Sequence, residues 1–247
     1  MQIIQDTIQN LQQWDDFKNS VVVIGYFDGV HKYHQQILNQ AKNLALKKNQ
    51  PFVFITFDQK ISAFLQKTSQ DLISPATKQA LIAQYQPSAY LELKVNQALT
   101  NYHSLDFIHW LKNVIQADIL VVGEDFRFGS KAMGDVKLLI EHFSKEKVIV
   151  FKRHNKISSG KLRQLVLDGE IKKVNKDLKR RLEIEFVIKN KQVKIKYPEL
   201  NLPNGIYEII NDQDEIKELI IEEQKLILEN LNSRELITKK WQIICQK

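Results

Sequence analysis

Val21-Val-Val-Ile-Gly-Tyr-Phe-Asp-Gly-Val-His31-Lys-Tyr-His34 puts an unbroken apolar run ahead of two glycines and two histidines. A short apolar run with no polar alternation reads as a strand buried on both faces, which is the habit of parallel sheets. A strand, a glycine turn and a helix start form the arrangement by which α/β proteins bind phosphates. Glycine is scarce in this chain. Seven of its eight glycines fall in this segment and in two others, Val122 to Asp135 and Ile157 to Gly169. The second also follows an apolar run, Ile119-Leu-Val-Val122.

Working outward, strand-like and helix-like stretches alternate over about the first 155 residues. The predicted strands are Val21 to Gly25, Pro51 to Phe57, Tyr90 to Val95, Ile119 to Gly123 and Lys147 to Phe151. His34 to Lys48 is a predicted helix, with Ile37, Leu38, Ala41, Leu44 and Leu46 near helical spacing. Ser74-Pro75 opens a helix reaching about Gln86, Ser104 caps another with Phe107, Ile108, Leu111 and Ile115 on one face, and Asp135 to Ser144 is a third. Such alternation implies a mostly parallel sheet whose ligands bind outside the carboxyl ends of the strands. After Arg181 the period changes. Ile184, Phe186 and Ile188 alternate with polar neighbours, as do Val193, Ile195 and Tyr197, with a turn at Asn190-Lys191. Gly205 to Ile210, Glu218 to Leu228 and Trp241 to Cys245 continue as strands, which predicts a small antiparallel barrel or meander.

The bulk properties narrow the function. The 247 residues suffice for one large or two small domains. Net charge is +7, and residues 182–247 hold ten Lys/Arg against twelve Asp/Glu, so residues 1–181 carry +9. A basic N-terminal part suits anionic partners, whether nucleic acid or a phosphorylated small molecule. The basic run Lys172 to Arg181 reads as a solvated helix face. Cys245 is the only cysteine, which excludes an internal disulfide and argues against a cysteine metal site. With no signal peptide at Met1 to Asp6 and no membrane-spanning run, the expected setting is the cytoplasm. Nucleic-acid binding rests on charge alone, since no nucleic-acid motif is present. His103, His109 and His142 lie outside every motif, whereas His154 precedes the third and is a candidate to face phosphate.

Three segments, Gly25 to His34, Val122-Gly-Glu-Asp-Phe-Arg-Phe-Gly129 and Ile157-Ser-Ser-Gly-Lys-Leu-Arg163, resemble in order the motifs of the bacterial FAD synthetases, a family of HxGH nucleotidylyltransferases. Thr56-Phe-Asp58 is a weaker echo, followed by Gln59 where the family has proline. The resemblance covers about residues 15 to 180. It implies a Rossmann-like adenylyltransferase domain over 1–181, and a reduced riboflavin-kinase-like β domain over 182–247. It implies AMP transfer from ATP to FMN, giving FAD and pyrophosphate. His31, His34 and Arg163 are the implied catalytic residues. Gly25, Phe27, Asp28, Gly29, Ser158 and Ser159 join them in binding ATP. Thr56, Asp58, Asp125, Phe126, Arg127 and Phe128 would bind FMN. Mg²⁺ is expected with the triphosphate. No residue is assigned as its ligand; Asp28 is either an indirect ligand or a turn aspartate.

Two positions depart from the family pattern. Tyr33 stands where the family has glycine, and either blocks ATP or shields it; Gly160 stands for threonine. Both are expected to weaken the site without abolishing it, so Tyr33→Gly should raise kcat/KM. In the C-terminal part only Leu202-Pro-Asn-Gly-Ile-Tyr207 resembles the family's kinase barrel. Residues 181–203 contain no glycine and no threonine, where a kinase needs a nucleotide loop, so no kinase activity is expected. The alternatives are a non-catalytic nucleotide or flavin binder with a decayed site, and a nucleotidylyltransferase with another phosphorylated acceptor.

Overall fold

The computed structural model describes residues 1–11, 15–67, 70–152, 157–189, 192–223, 225–228 and 237–247. Contacts divide the chain into two compact units. The first comprises Met1–Phe27, Tyr33–Ser69 and Gln79–Asn155; the second comprises Asp28–Lys32, Gln70–Lys78 and Lys156–Lys247.

Among the described residues, the first unit holds a six-stranded, all-parallel sheet. Its strands are β1 (Gln2–Asp6), β2 (Ser20–Ile24), β3 (Phe52–Phe57), β4 (Ala89–Leu93), β5 (Ala117–Gly123) and, after a two-residue ladder of β6 (Arg127–Phe128) and β7 (Gly134–Asp135), β8 (Val148–Phe151). Their order is β1-β4-β3-β2-β5-β8. β2 and β4 are buried along their whole length and β3 along all but its last residue, as continuous apolar strands with helices on the faces should be. The chain steps from β2 to β3 and β4 on one side, then returns to place β5 on the other. The switch point therefore lies between β2 and β5, where loops leave the sheet in opposite directions and open a crevice.

Helix α1 (Lys32–Lys48) begins two residues before the predicted start, so His31 stands at its threshold and His34 in its first turn. Ile37, Leu38 and Ala41 are buried as expected, but Leu46 is exposed and Ala45 takes the inner position. A short helix after β3, α2 (Ile61–Gln66), has no counterpart in the sequence reading. α3 (Pro75–Ala83) opens where expected, with the Thr77 amide donating to Ser74 Oγ at 3.2 Å, but ends three residues before Gln86. After the single turn α4 (Gln97–Thr100), α5 (Ser104–Asn113) has Ser104 as its first helical residue, not its cap, and His103 at the N-cap position makes no side-chain capping hydrogen bond. Phe107, Ile108 and Leu111 of α5, with Leu139 and Phe143 of α6 (Val136–Phe143), pack against Val22, Ile24 and Leu120 as one core.

In the second unit, α7 (Ser159–Leu167) and α8 (Ile171–Leu178) accompany an antiparallel sheet of order β10-β9-β14-β11-β12-β13. The strands are β9 (Leu182–Lys189), β10 (Gln192–Tyr197), β11 (Gly205–Ile210), β12 (Ile216–Glu222), β13 (Lys225–Leu228) and β14 (Ile237–Gln246). The stretch read as one strand from Glu218 to Leu228 is a hairpin of β12 and β13. Leu182, Ile184, Phe186, Tyr207, Leu219 and Ile243 fill the core of this near-barrel. Asn175 fixes α8 to the strands: its amide donates to the carbonyls of Ile243 and Ile244 at 2.9 and 3.1 Å, and its Oδ1 accepts from the Leu182 amide at 2.6 Å. Ile171, Val174 and Leu178 face inward while the α8 lysines face water, so the basic run is a solvated helix face. The Asn190-Lys191 turn and His154 lie outside the described residues.

Candidate functional site

In the first unit Gly25 to Phe27 after β2 and the glycine segment after β5 flank the switch point, and two cavities lie there. One, of about 340 Å³, is walled by Leu99, Tyr102, Phe107, Phe126 and Phe128. The other, of about 560 Å³, is lined by Gly25, Phe27, Tyr33, His34, Gly123 and Asp125. Phe57, Ile61, Ser62, Phe126 and Arg127 border both, so an aromatic hollow and a polar one share a wall.

Local sequence explains the walls. The Phe126 and Phe128 rings lie 5.6 Å apart and nearly parallel, and Phe128 lies 5.3 Å from Phe107. Two glycines make this packing possible. A side chain on Gly134 would strike the Phe128 ring at 2.5 Å, and one on Gly129, held at φ +72°, would meet the Ser104 backbone at 2.7 Å. Arg127 pairs with Asp135 at 3.4 Å, and the Leu138 amide, donating to Asp135, holds that carboxyl below its usual range. In the polar cavity the His34 imidazole stacks on Phe27 at 4.3 Å, and Phe27 meets Phe54 edge-on. The Lys60 ammonium, another lining group, sits 5.2 Å over the Tyr26 ring. Three basic groups, His34, Lys60 and Arg127, thus surround this cavity with Asp125 as their acidic neighbour, an arrangement that suits an anionic ligand.

Tyr33 is buried, 5% exposed, and forms a fixed wall of the polar cavity. Its hydroxyl donates to the Phe151 carbonyl at 2.6 Å and its ring meets the Phe151 ring edge-on. The phenol is thereby held against the carboxyl end of β8.

Thr56 and Asp58 flank Phe57, but their polar groups serve the backbone. The Thr56 hydroxyl donates to the Tyr26 carbonyl at 3.3 Å, and Asp58 Oδ1 accepts from the Val95 amide at 2.9 Å. Phe57 itself, between them, borders both cavities. Sequence reasoning missed Phe57, Lys60, Ser62 and Tyr102, and read Phe107 only as part of a helix's apolar face. An aromatic inside a strand or helix reads as core by default, and only the convergence of loops shows that it also faces a cavity.

The second unit gathers the other expected residues: Asp28, Gly29, His31, Ser158, Ser159 and Arg163. His31 is buried, 1% exposed, at the threshold of α1. Ser158 caps α7, its Oγ accepting from the Lys161 amide at 3.1 Å. Ser159 Oγ donates to the Asp28 carbonyl at 3.0 Å, and Arg163 pairs with the Asp28 carboxylate at 2.9 Å. The Leu72 amide donates to the other Asp28 oxygen at 2.9 Å. A side chain begun at Gly160 would meet Ser158 Oγ and Arg163 at 3.8 and 3.9 Å, ordinary van der Waals contact. Among the described residues no group of three or more His, Cys, Asp or Glu is arranged to hold a metal ion.

Comparison with known proteins converges with this geometry. The FAD synthetase family model matches residues 14–162, more than half of the chain. The chain belongs to the FAD synthetase family. A relative from Buchnera aphidicola subsp. Schizaphis graminum, a bifunctional riboflavin kinase/FMN adenylyltransferase, is 30% identical over 226 residues, covering 82% of this chain and 71% of that protein. The protein of the same name from Bacillus subtilis is 27% identical over 164 residues, 63% of this chain and 52% of its own. FAD synthetases named in this way are nucleotidyltransferases of two activities. In fold, the chain resembles a crystal structure described as a macrolide-efflux protein from Streptococcus pneumoniae, with TM-score 0.84, 21% identity and coverage of 100% of this chain and 91% of that one. That likeness bears on fold alone. Among the described residues no helix is long and apolar enough to cross a membrane.

Proposed function

We propose that this chain is an FMN adenylyltransferase that transfers AMP from ATP to FMN, releasing pyrophosphate, and that it lacks riboflavin kinase activity. The observation that carries this reading is the shared wall between an aromatic cavity and a basic one. FMN has that division of character, a flat apolar ring system and an anionic phosphate. Phe126 and Phe128 would face the isoalloxazine. Arg127, an always-charged fork, would face phosphate, with Asp125, Thr56 and Asp58 shaping the pocket through the loops they hold.

The chemistry requires alignment more than proton transfer. An FMN phosphate oxygen forms a bond to the α-phosphorus of ATP as the bond from that phosphorus to the bridging β-oxygen breaks. The leaving pyrophosphate takes the electron pair, and the attacking phosphate is already anionic at neutral pH, so no general base is needed. By family position, His31 and His34 donate to ATP phosphates, Gly25, Phe27 and Gly29 allow close approach, and Ser158, Ser159 and Arg163 hold the leaving phosphates. ATP brings Mg²⁺ to neutralise phosphate charge. Asp28 already accepts from Leu72 and Arg163 and no acidic cluster stands ready among the described residues, so phosphate and water oxygens would supply the ion's main ligands.

We assign transfer to residues 1–181 and a β domain without kinase activity to residues 182–247, in a cytoplasmic setting. The missing glycines and threonines of residues 181–203 support the second assignment. Purified protein is incubated with ATP, Mg²⁺ and either FMN or riboflavin, and the flavins are resolved by chromatography. FAD from FMN and no FMN from riboflavin is the expected result; FMN appearing from riboflavin would overturn the kinase assignment.

A further inference from the structure

Asp28 is a charged side chain that is 3% exposed. A buried carboxylate is costly unless hydrogen-bonded and paired, so its partners define what it does. Within the second compact unit one oxygen accepts from the Leu72 amide at 2.9 Å and the other pairs with Arg163 at 2.9 Å. The main-chain carbonyl of the same residue accepts from Ser159 Oγ at 3.0 Å, and the next carbonyl, of Gly29, accepts from Arg180 at 2.8 Å. The backbone held by these bonds turns through the left-handed region, freely at Gly29 with φ +77° but with strain at Val30, where φ is +40°. A β-branched residue rarely adopts such a φ, and such strain persists where surrounding contacts over-determine it. His31 follows directly.

We propose that Asp28 is a positioning residue: it fixes the Arg163 guanidinium, and with it the strained turn ahead of His31, in the orientation that receives the ATP phosphates. This rests on the adenylyltransferase reading. Arg163 is 23% exposed on its side chain, so the Asp28 bond holds one edge of the planar fork while the remaining donors stay fixed in the same plane. Without that bond a long side chain regains rotamer freedom, which binding would again have to remove. The opposite role for the same contact would be a resting lock, with the carboxylate standing where a phosphate belongs.

A double-mutant cycle separates these roles. Asp28→Asn keeps a carbonyl oxygen for the Leu72 amide and removes the charge that holds Arg163. Its kcat/KM for ATP is expected to fall by up to about 100-fold, with KM for FMN unchanged. In an Arg163→Ala background the same change should alter kcat/KM by less than about twofold, since its effect runs through the missing side chain. Equal losses in both backgrounds, or ATP bound as tightly or more tightly by Asp28→Asn, would overturn the proposal. Asp28→Glu retains the charge but displaces it by one methylene, and carries the same cycle if Asp28→Asn does not fold. Calorimetric titration of ATP into the four proteins reads the cycle on affinity as well. A wild type that makes no FAD refutes the adenylyltransferase reading, while additive losses with an active wild type refute only the role of Asp28.

Discussion

The Tyr33 hydroxyl and the Glu124 amide donate to the same acceptor, the Phe151 carbonyl, at 2.6 and 3.0 Å. The first turn of α1 is thereby tied to the carboxyl end of β8, at the place where β5 runs out into its glycine loop. The Tyr33 hydroxyl lies 3.0 Å from where a side chain on Gly123 would begin, so ring and glycine fit each other.

Tyr33→Phe keeps the ring and loses one hydrogen bond, a cost of about 1 kcal/mol. Tyr33→Gly empties a buried aromatic site and puts glycine in a helix, at a cost of about 4 kcal/mol. It also widens the polar cavity. Stability and kcat/KM should therefore move in opposite directions, the first falling and the second rising per folded molecule. Urea unfolding checks one and initial rates the other; a Tyr33→Gly variant as stable as wild type would contradict the role of the phenol as a wall.

Phe126 borders both cavities and is not part of the deep core. Phe126→Ala should raise KM for FMN about tenfold, the equivalent of one aromatic contact, and leave KM for ATP unchanged. Steady-state kinetics with each substrate varied in turn distinguishes this from a general loss of fold, which would depress both.

A Cβ on Gly160 makes only ordinary van der Waals contacts, so a side chain can begin there without a clash. Gly160→Thr should stabilise α7 by about 0.5 kcal/mol through lower backbone entropy in the unfolded chain. The added hydroxyl next to Arg163 should lower KM for ATP. Thermal unfolding and ATP titration read the two effects, and a loss of stability would show that the space is not free.

Burial pushes the Tyr207 phenol up to about 12, and its hydroxyl donates to the Pro203 carbonyl at 2.7 Å. The fold favours the neutral phenol. Its contribution is fully present below the ordinary tyrosine value of about 10 and is lost as pH rises through the folded value. The β unit should lose stability across this alkaline window, and Tyr207→Phe should flatten that part of the profile. Unfolding midpoints measured at successive pH values provide the check.

The parallel sheet was legible because strands buried on both faces leave continuous apolar runs, as Val21 to Ile24 and Ile119 to Val122 do. β1 was not, because Gln2-Ile-Ile-Gln-Asp6 is a half-exposed edge strand with mixed polarity, and only its pairing with β4 makes it a strand. α2 was hidden for a similar reason. It is one and a half turns long, lacks a side-chain cap and stops at Lys67 in the left-handed region. Glycine spacing marked the loops at the switch point, His31 and His34 stood out beside those glycines, and Arg163 was marked only by the resemblance of its motif. The partners that give them meaning were not marked. Asp28 meets Leu72 and Arg163 across 44 and 135 residues, and no local pattern encodes such pairings.

The most direct test of the central claim follows the phosphorus atom. The protein is given FMN, Mg²⁺ and ATP carrying a radioactive α-phosphorus, and the products are separated. Label in FAD, with unlabelled pyrophosphate released in equal amount, is the predicted result. Label that stays in ATP, or appears only in AMP while FMN is recovered unchanged, would contradict adenylyl transfer to FMN.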